Sequence, residues 1–293
     1  MFRAIGIAAL IVFLSACNQP VKQVETDEQE VLASADDKLI HPGWSKNANI
    51  YEVNVRQYTP EGTFKAFEAH LPRLQNMGVR ILWFMPIHPI GEENRKGTLG
   101  SYYSVKDYKA VNPEFGTMED FKSLVDKAHS MGFKVILDWV ANHTAWDHPW
   151  MTEHPEWYTK DSTGNFVAPM GWSDVADLNY DNPGVRDAML DALKFWVAEA
   201  NIDGYRCDVA GMVPIDFWNL VREELDKIKP VFMLAEAEEP EMHEEAFDMT
   251  YAWELHHIYN SIAKGEMNAN DLESYFQKED TTYPESAYRM NFI

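Results

Sequence analysis

Residues 204–210 read Gly-Tyr-Arg-Cys-Asp-Val-Ala. The run from Gly204 to Asp208 predicts a buried strand. Side chains alternate along a strand, so Arg206 and Asp208 share one face. A guanidinium on that face holds a neighbouring carboxylate in its ionised form by charge and hydrogen bonding.

The surroundings repeat the pattern. Glu236 lies 28 residues on, directly after the apolar run Val231–Ala235. That interval fits one strand-helix-strand step, with Phe217, Leu220, Val221 and Leu225 at helical spacing after Pro214. Asp138 lies 70 residues upstream, in the run Val135–Trp139. The longer interval holds the helix opened by Asn182-Pro183, with Met189, Ala192 and Trp196, and an aperiodic stretch rich in tryptophan, residues 142–181. That stretch reads as a small inserted subdomain.

Further strands are predicted at Ile50–Val55, Val79–Met85, Phe247–Tyr251 and Arg289–Ile293. Phe64, Phe67, Leu71 and Leu74 mark a helix that Gly78 stops, with Pro72 opening its second segment. Thr117 and Asp120 form a capping box before Phe121, Leu124, Val125 and Ala128. Repeated strand-helix units imply a parallel sheet, doubly wound or a (β/α)8 barrel. No glycine-rich phosphate loop follows the first strand, which disfavours dinucleotide binding. In a barrel, the C-terminal strand ends build the active site. Asp138, Asp208 and Glu236 all stand there. An ionised aspartate beside a protonatable glutamate is the pairing that cleaves a glycosidic bond. Glu236, among Leu234, Ala235 and Ala237, is expected to have its pKa raised by partial desolvation.

The 293 residues carry 25 Lys and Arg against 47 Asp and Glu, a formal charge of −22. No basic block is present, which excludes nucleic acid as a partner. The acid excess also opposes electrostatic attachment to anionic lipid. At the N-terminus, Arg3 precedes an eleven-residue apolar run, Ala4–Leu14, too short to span a membrane. It reads as an export signal. Leu14-Ser15-Ala16-Cys17 resembles the lipobox of bacterial lipoproteins, which implies lipidation of Cys17 and a membrane-anchored protein of the cell envelope. Residues 18–43 are polar and acidic and read as a flexible tether. The domain proper is expected over 44–293. Cys207 is then a lone thiol, and neither a zinc-binding Cys/His pattern nor HExxH occurs. His70 and His129 fall on helical stretches and are expected at the surface.

Three motifs together resemble the signature regions of the alpha-amylase family of glycoside hydrolases. They are Asp138-Trp139-Val140-Ala141-Asn142-His143, Gly204–Ala210, and Ala235-Glu236 after an apolar strand. Asp177-Leu178-Asn179, Ile50–Val53 and the run Gly97–Tyr108 extend the likeness over residues 44–293. The resemblance implies a (β/α)8 TIM barrel with a small domain inserted after strand 3. It implies Asp208 as nucleophile, Glu236 as general acid and then base, and Arg206 as the group that orients Asp208. His143 is implied to bond a sugar hydroxyl, Asp138 to support the site, and a tyrosine before Asp107-Tyr108 to stack on the sugar. That tyrosine is Tyr103, or Tyr102 if the register slips by one. Retaining enzymes of this kind hold their two carboxyls about 5–5.5 Å apart.

Two departures stand out. The family's fourth signature, Asn-His-Asp, is not reached before Ile293, which reads as a barrel whose C-terminal part is missing. Gly211-Met212 replaces the Lys-His pair of many calcium-dependent members, which removes one calcium ligand and a substrate contact. Asn142 is left as a candidate Ca2+ ligand through its side-chain oxygen. The expected activity is retaining hydrolysis of alpha-1,4 bonds in starch, glycogen or maltooligosaccharides. The alternatives are an oligo-1,6-glucosidase, cyclomaltodextrinase or glucan transferase of the same family, or a non-catalytic glucan-binding lipoprotein.

Overall fold

In a computed structural model, residues 39–292 are described. The predicted signal, the lipidated Cys17 and most of the tether lie outside them. Among the described residues nine strands are formed: β1 (Ile50–Val53), β2 (Ile81–Phe84), β3 (Lys134–Trp139), β4 (His143–Ala145), β5 (Val175–Asp177), β6 (Gly204–Cys207), β7 (Phe232–Ala235), β8 (Met249–Tyr251) and β9 (Tyr288–Met290). Seven of them make one parallel sheet in the order β1-β2-β3-β6-β7-β8-β9. This is a partial (β/α)8 barrel. The antiparallel pair β4-β5 belongs to the segment inserted after β3.

The helices sit where periodicity put them. The capping box closes, with Asp120 N–H on Thr117 Oγ1 at 3.2 Å and Thr117 N–H on Asp120 Oδ2 at 3.0 Å. It opens helix Met118–Ser130. Pro72 lies in the first turn of helix Leu71–Asn76, where its missing N–H costs no bond. Asn182 caps helix Pro183–Glu199 by accepting from Gly184 N–H at 2.9 Å.

Strand alternation divides the core in two. Leu82, Phe84, Val135, Leu137, Tyr205, Cys207, Met233 and Ala235 face the helices. Ile81, Trp83, Ile136, Phe232, Leu234 and Tyr251 form a separate cluster on the concave face. By parity Asp138 and Arg206 also face inward, and they pair across β3 and β6. Gly204 opens β6 at φ +147°. A Cβ there would stand 1.8 Å from the Phe232 carbonyl oxygen, so only glycine lets β6 and β7 approach.

Two expectations are corrected. The packed domain already includes residues 39–43: Leu39 is buried, the Ile40 carbonyl accepts from Arg222 at 2.8 Å, and His41 Nδ1 meets Asp248 Oδ1 at 2.7 Å. These residues are acidic-poor and tied to Arg222 and Asp248, unlike the stretch before them. His129 is half-buried rather than superficial, because its Nε2 lies 2.6 Å from the buried carboxylate of Asp203.

Candidate active site

Asp208 and Glu236 each follow the last residue of a strand, β6 and β7. Their backbones continue the ladder. Asp208 N–H donates to Trp139 O at 2.8 Å, and Glu236 N–H donates to Cys207 O at 3.0 Å. This regularity sets both carboxyls at the same end of neighbouring strands.

Arg206 joins them. Its Nη1 lies 2.8 Å from Asp208 Oδ1 and 2.9 Å from Asp138 Oδ1, and its Nη2 lies 3.0 Å from Glu236 Oε2. Nε donates to Tyr251 Oη at 3.1 Å, and the guanidinium lies over the Trp83 ring, 5.1 Å from its centroid. Burial opposes the charge on Arg206, but the surrounding acids, Asp138 first, raise its pKa overall. It stays cationic.

One cation among three carboxylates does not balance them. Burial, reinforced by Asp138, pushes the Asp208 carboxyl upward against the pull of Arg206, and burial raises Asp138 as well. The two acids differ in their partners. Asp138 is fully buried and accepts from Arg206, from Trp83 Nε1 at 3.1 Å and from Tyr103 Oη at 3.2 Å. Three donors favour its ionised form. Asp208 takes Arg206 on one oxygen and lines the pocket. Burial and the Asp138 charge thus oppose ionisation of Asp208, and Arg206 favours it. Arg206 lies against Asp208, and it is shared with Asp138 and Glu236.

Glu236 also meets partners that its apolar neighbours did not foretell. Its Oε2 accepts from Val209 N–H at 2.8 Å as well as from Arg206. Val209 sits at φ +40°, ψ +46°, a left-handed conformation that is rare for a β-branched residue. Such strain persists only where the surroundings enforce it.

Asp208 and Glu236 open on a cavity of about 360 Å3 that Tyr103, His143, Trp172 and Asp174 also line. Tyr103, not Tyr102, reaches the site; Tyr102 Oη instead donates to Asn54 Oδ1 at 2.9 Å. Burial and the Asp138 charge raise the Tyr103 pKa, so it acts as a neutral donor. His143, on β4, is lowered to about 4 by burial and is neutral at physiological pH. The structure thus brings Asp138, Arg206, Asp208, Glu236, Tyr103 and His143 together. Trp83, Tyr251, Val209, Trp172, Asp174 and Lys96 were not singled out from the sequence. The only signal for the first two was strand parity, hidden where both faces of a parallel strand are apolar.

Asn142 is buried beside the site. Its Nδ2 lies 3.3 Å from His143 Nδ1, and it also bonds Asp177. Calcium takes six to eight oxygen ligands. Asn142 and Asp177 supply side-chain oxygens here, whereas Gly211 and Met212 supply none. Among the described residues no group of three His, Cys, Asp or Glu side chains converges to hold a metal ion. Two side-chain oxygens fall short of that number, and backbone carbonyls or water would have to supply the rest.

A barrel of parallel strands with an arginine-linked acid pair at its C-terminal rim defines the class of barrel proteins whose site is built from strand ends. Comparison narrows it. The family model described as "Alpha amylase, catalytic domain" matches residues 25–156 and 152–292. The crystal structure of an alpha-amylase from Lactobacillus plantarum is 40% identical with a TM-score of 0.80, over 84% of this chain and 62% of that one. The maltogenic alpha-amylase AmyB from Thermotoga neapolitana is 39% identical with a TM-score of 0.79, over 85% and 59%. Alpha-amylase 3 of Dictyoglomus thermophilum is 36% identical over 228 residues, 66% of this chain and 44% of that protein. The chain belongs to the alpha-amylase family. It spans less than half the length of that curated relative.

Proposed function

We propose that the protein cleaves alpha-glucosidic bonds, mainly alpha-1,4, in starch, glycogen or maltooligosaccharides, with retention at the anomeric carbon. The observation that carries this reading is the shared guanidinium, with Arg206 on Asp208 at 2.8 Å and on Glu236 at 3.0 Å at the mouth of one cavity. Asp208 attacks C1 while Glu236 gives its proton to the departing glycosidic oxygen, so the C1–O bond breaks and a glycosyl ester forms. Glu236, now a carboxylate, takes a proton from water as that water attacks C1 and releases Asp208. If a sugar hydroxyl takes the water's place, the same chemistry transfers the glycan. Asp138 holds Arg206 and Tyr103, and His143 donates to a sugar hydroxyl.

Catalysis needs Asp208 bare and Glu236 protonated.

We also propose that the protein is an exported lipoprotein of the bacterial cell envelope, held by a lipid on Cys17. Leu14-Ser15-Ala16-Cys17 after a short apolar run supports this. Loss of metabolic lipid labelling in Cys17→Ser tests it; labelling that persists overturns it.

The activity is tested with Asp208→Asn. Reducing-end release from maltoheptaose is expected to fall by at least about 10³-fold while the circular dichroism stays native. Undiminished release overturns the assignment. Binding of maltoheptaose without release by the unaltered protein favours a glucan-binding role.

A further inference from the structure

The cavity has an end wall that the chemistry above does not use. Outward from Asp208 come Tyr103 and His143. Next comes Trp172, whose ring meets the His143 ring edge-on at 5.5 Å. On the same cavity Asp174, buried, acts on His143 by its charge and pairs with Lys96 Nζ at 2.7 Å. Lys96 belongs to the loop after β2, and Asp174 to the inserted segment just before β5. The pair therefore runs from one loop to the other at the edge of the cavity that holds Asp208 and Glu236.

The two loops are fastened together nearby. Ser104 Oγ donates to the Asp174 carbonyl at 3.0 Å. Asp147 Oδ2 accepts from Glu92 N–H at 3.0 Å and lies 2.9 Å from Lys106 Nζ. Gly91 packs so closely that a Cβ would stand 2.4 Å from Ala145 Cβ. Arg95 Nε donates back to the Gly91 carbonyl at 2.7 Å. A wall tied at this many points does not open at little cost. Separating the pair alone would leave the Asp174 charge buried without its counter-ion.

We propose that the Lys96–Asp174 pair closes the glycone end of the cleft and selects short glucan ends over internal stretches of polymer. This rests on the reading of Asp208 and Glu236 as the reacting pair, which makes Tyr103 and His143 the partners of the sugar attacked at C1. A polymer bound across an internal bond needs a groove open at both ends. Here the sugars before the scissile bond run into Trp172, Asp174 and Lys96. Lys96 is a specificity-determining residue in this account.

The test measures binding, in an Asp208→Asn background so that no sugar is consumed. The chain is titrated calorimetrically with maltose, maltotriose, maltopentaose and maltoheptaose. Affinity is expected to level off after maltotriose, changing by less than about twofold up to maltoheptaose. Adding Lys96→Ala, a change at a half-exposed side chain, is expected to restore a rise of about fivefold or more over that range. Lys96→Arg is expected to keep the plateau. Affinity that already climbs with length in the Lys96 protein overturns the wall, as does a plateau that Lys96→Ala leaves in place. A protein that binds none of the four sugars contradicts the glucan reading itself and the wall with it.

Discussion

Val209 donates its amide to Glu236 Oε2 at 2.8 Å from a backbone conformation, φ +40°, that β-branched residues avoid. The residue after one catalytic candidate thus pins the other. Glycine adopts this conformation freely. Val209→Gly is expected to leave the Tm within about 2 °C, since relief of strain offsets the added chain entropy. Turnover is expected to fall several-fold, because the amide that positions Glu236 gains freedom. Thermal melts and initial rates on maltoheptaose check both; unchanged turnover means that the contact does not position Glu236.

Asp208, pushed up to about 7 by burial and by Asp138, ties stability to pH in the direction opposite to activity. A carboxyl raised in the folded state contributes its stability below the unfolded pKa and loses it as pH rises through about 7. Asp208→Asn removes that like charge. It is expected to stabilise the fold by about 1–3 kcal/mol at pH 8 and by much less at pH 5. In the native protein kcat/KM is expected to fall as pH drops below about 7, because the nucleophile becomes protonated. Melting curves of both proteins across pH 5–8 supply the first readout. A Tm difference that does not grow with pH contradicts it.

Asp203 gives the contrasting case. Burial opposes its charge, yet His129, the Val135 amide and Lys229 lower its pKa to about 2. Its contribution is present above the unfolded carboxylate pKa and is lost as pH falls toward 2. Asp203→Ala is expected to cost about 2–4 kcal/mol at pH 7. The deficit should shrink as the pH is lowered from 4 toward 2. Denaturant melts measure it, and a deficit independent of pH in that range means that the ionised contacts are not its source.

Chelation tests the donor set around Asn142. With too few side-chain oxygens for a cage, EDTA is expected to leave the Tm within about 1 °C, and added calcium is expected not to raise it. A Tm that rises with calcium concentration means that carbonyls and water complete a site.

The acid pair was legible in the sequence because strand period and strand-helix spacing suffice to put Arg206, Asp208, Glu236 and Asp138 at one rim. Tyr103 and His143 needed the family likeness, since nothing in their local pattern points inward. Lys96 and Asp174 were not legible. They are 78 residues apart on two loops, and their meeting depends on how the inserted segment folds over β2 and β3. The division of Arg206 among three acids escaped for a similar reason: parity places side chains on a face but does not count how many converge. Residues 39–43 were read as tether on composition, whereas Arg222 and Asp248 hold them.

The central claim assigns the nucleophile to Asp208 and the proton to Glu236. Maltosyl fluoride separates these roles, because fluoride departs without needing a proton. In Glu236→Gln the first step should proceed and the second should stall for want of a base. Mass spectrometry of the digested protein is predicted to find one maltosyl residue on the peptide that contains Asp208, and none when Asp208 is also changed to Asn. An adduct on another residue, or an adduct that survives Asp208→Asn, would contradict the account.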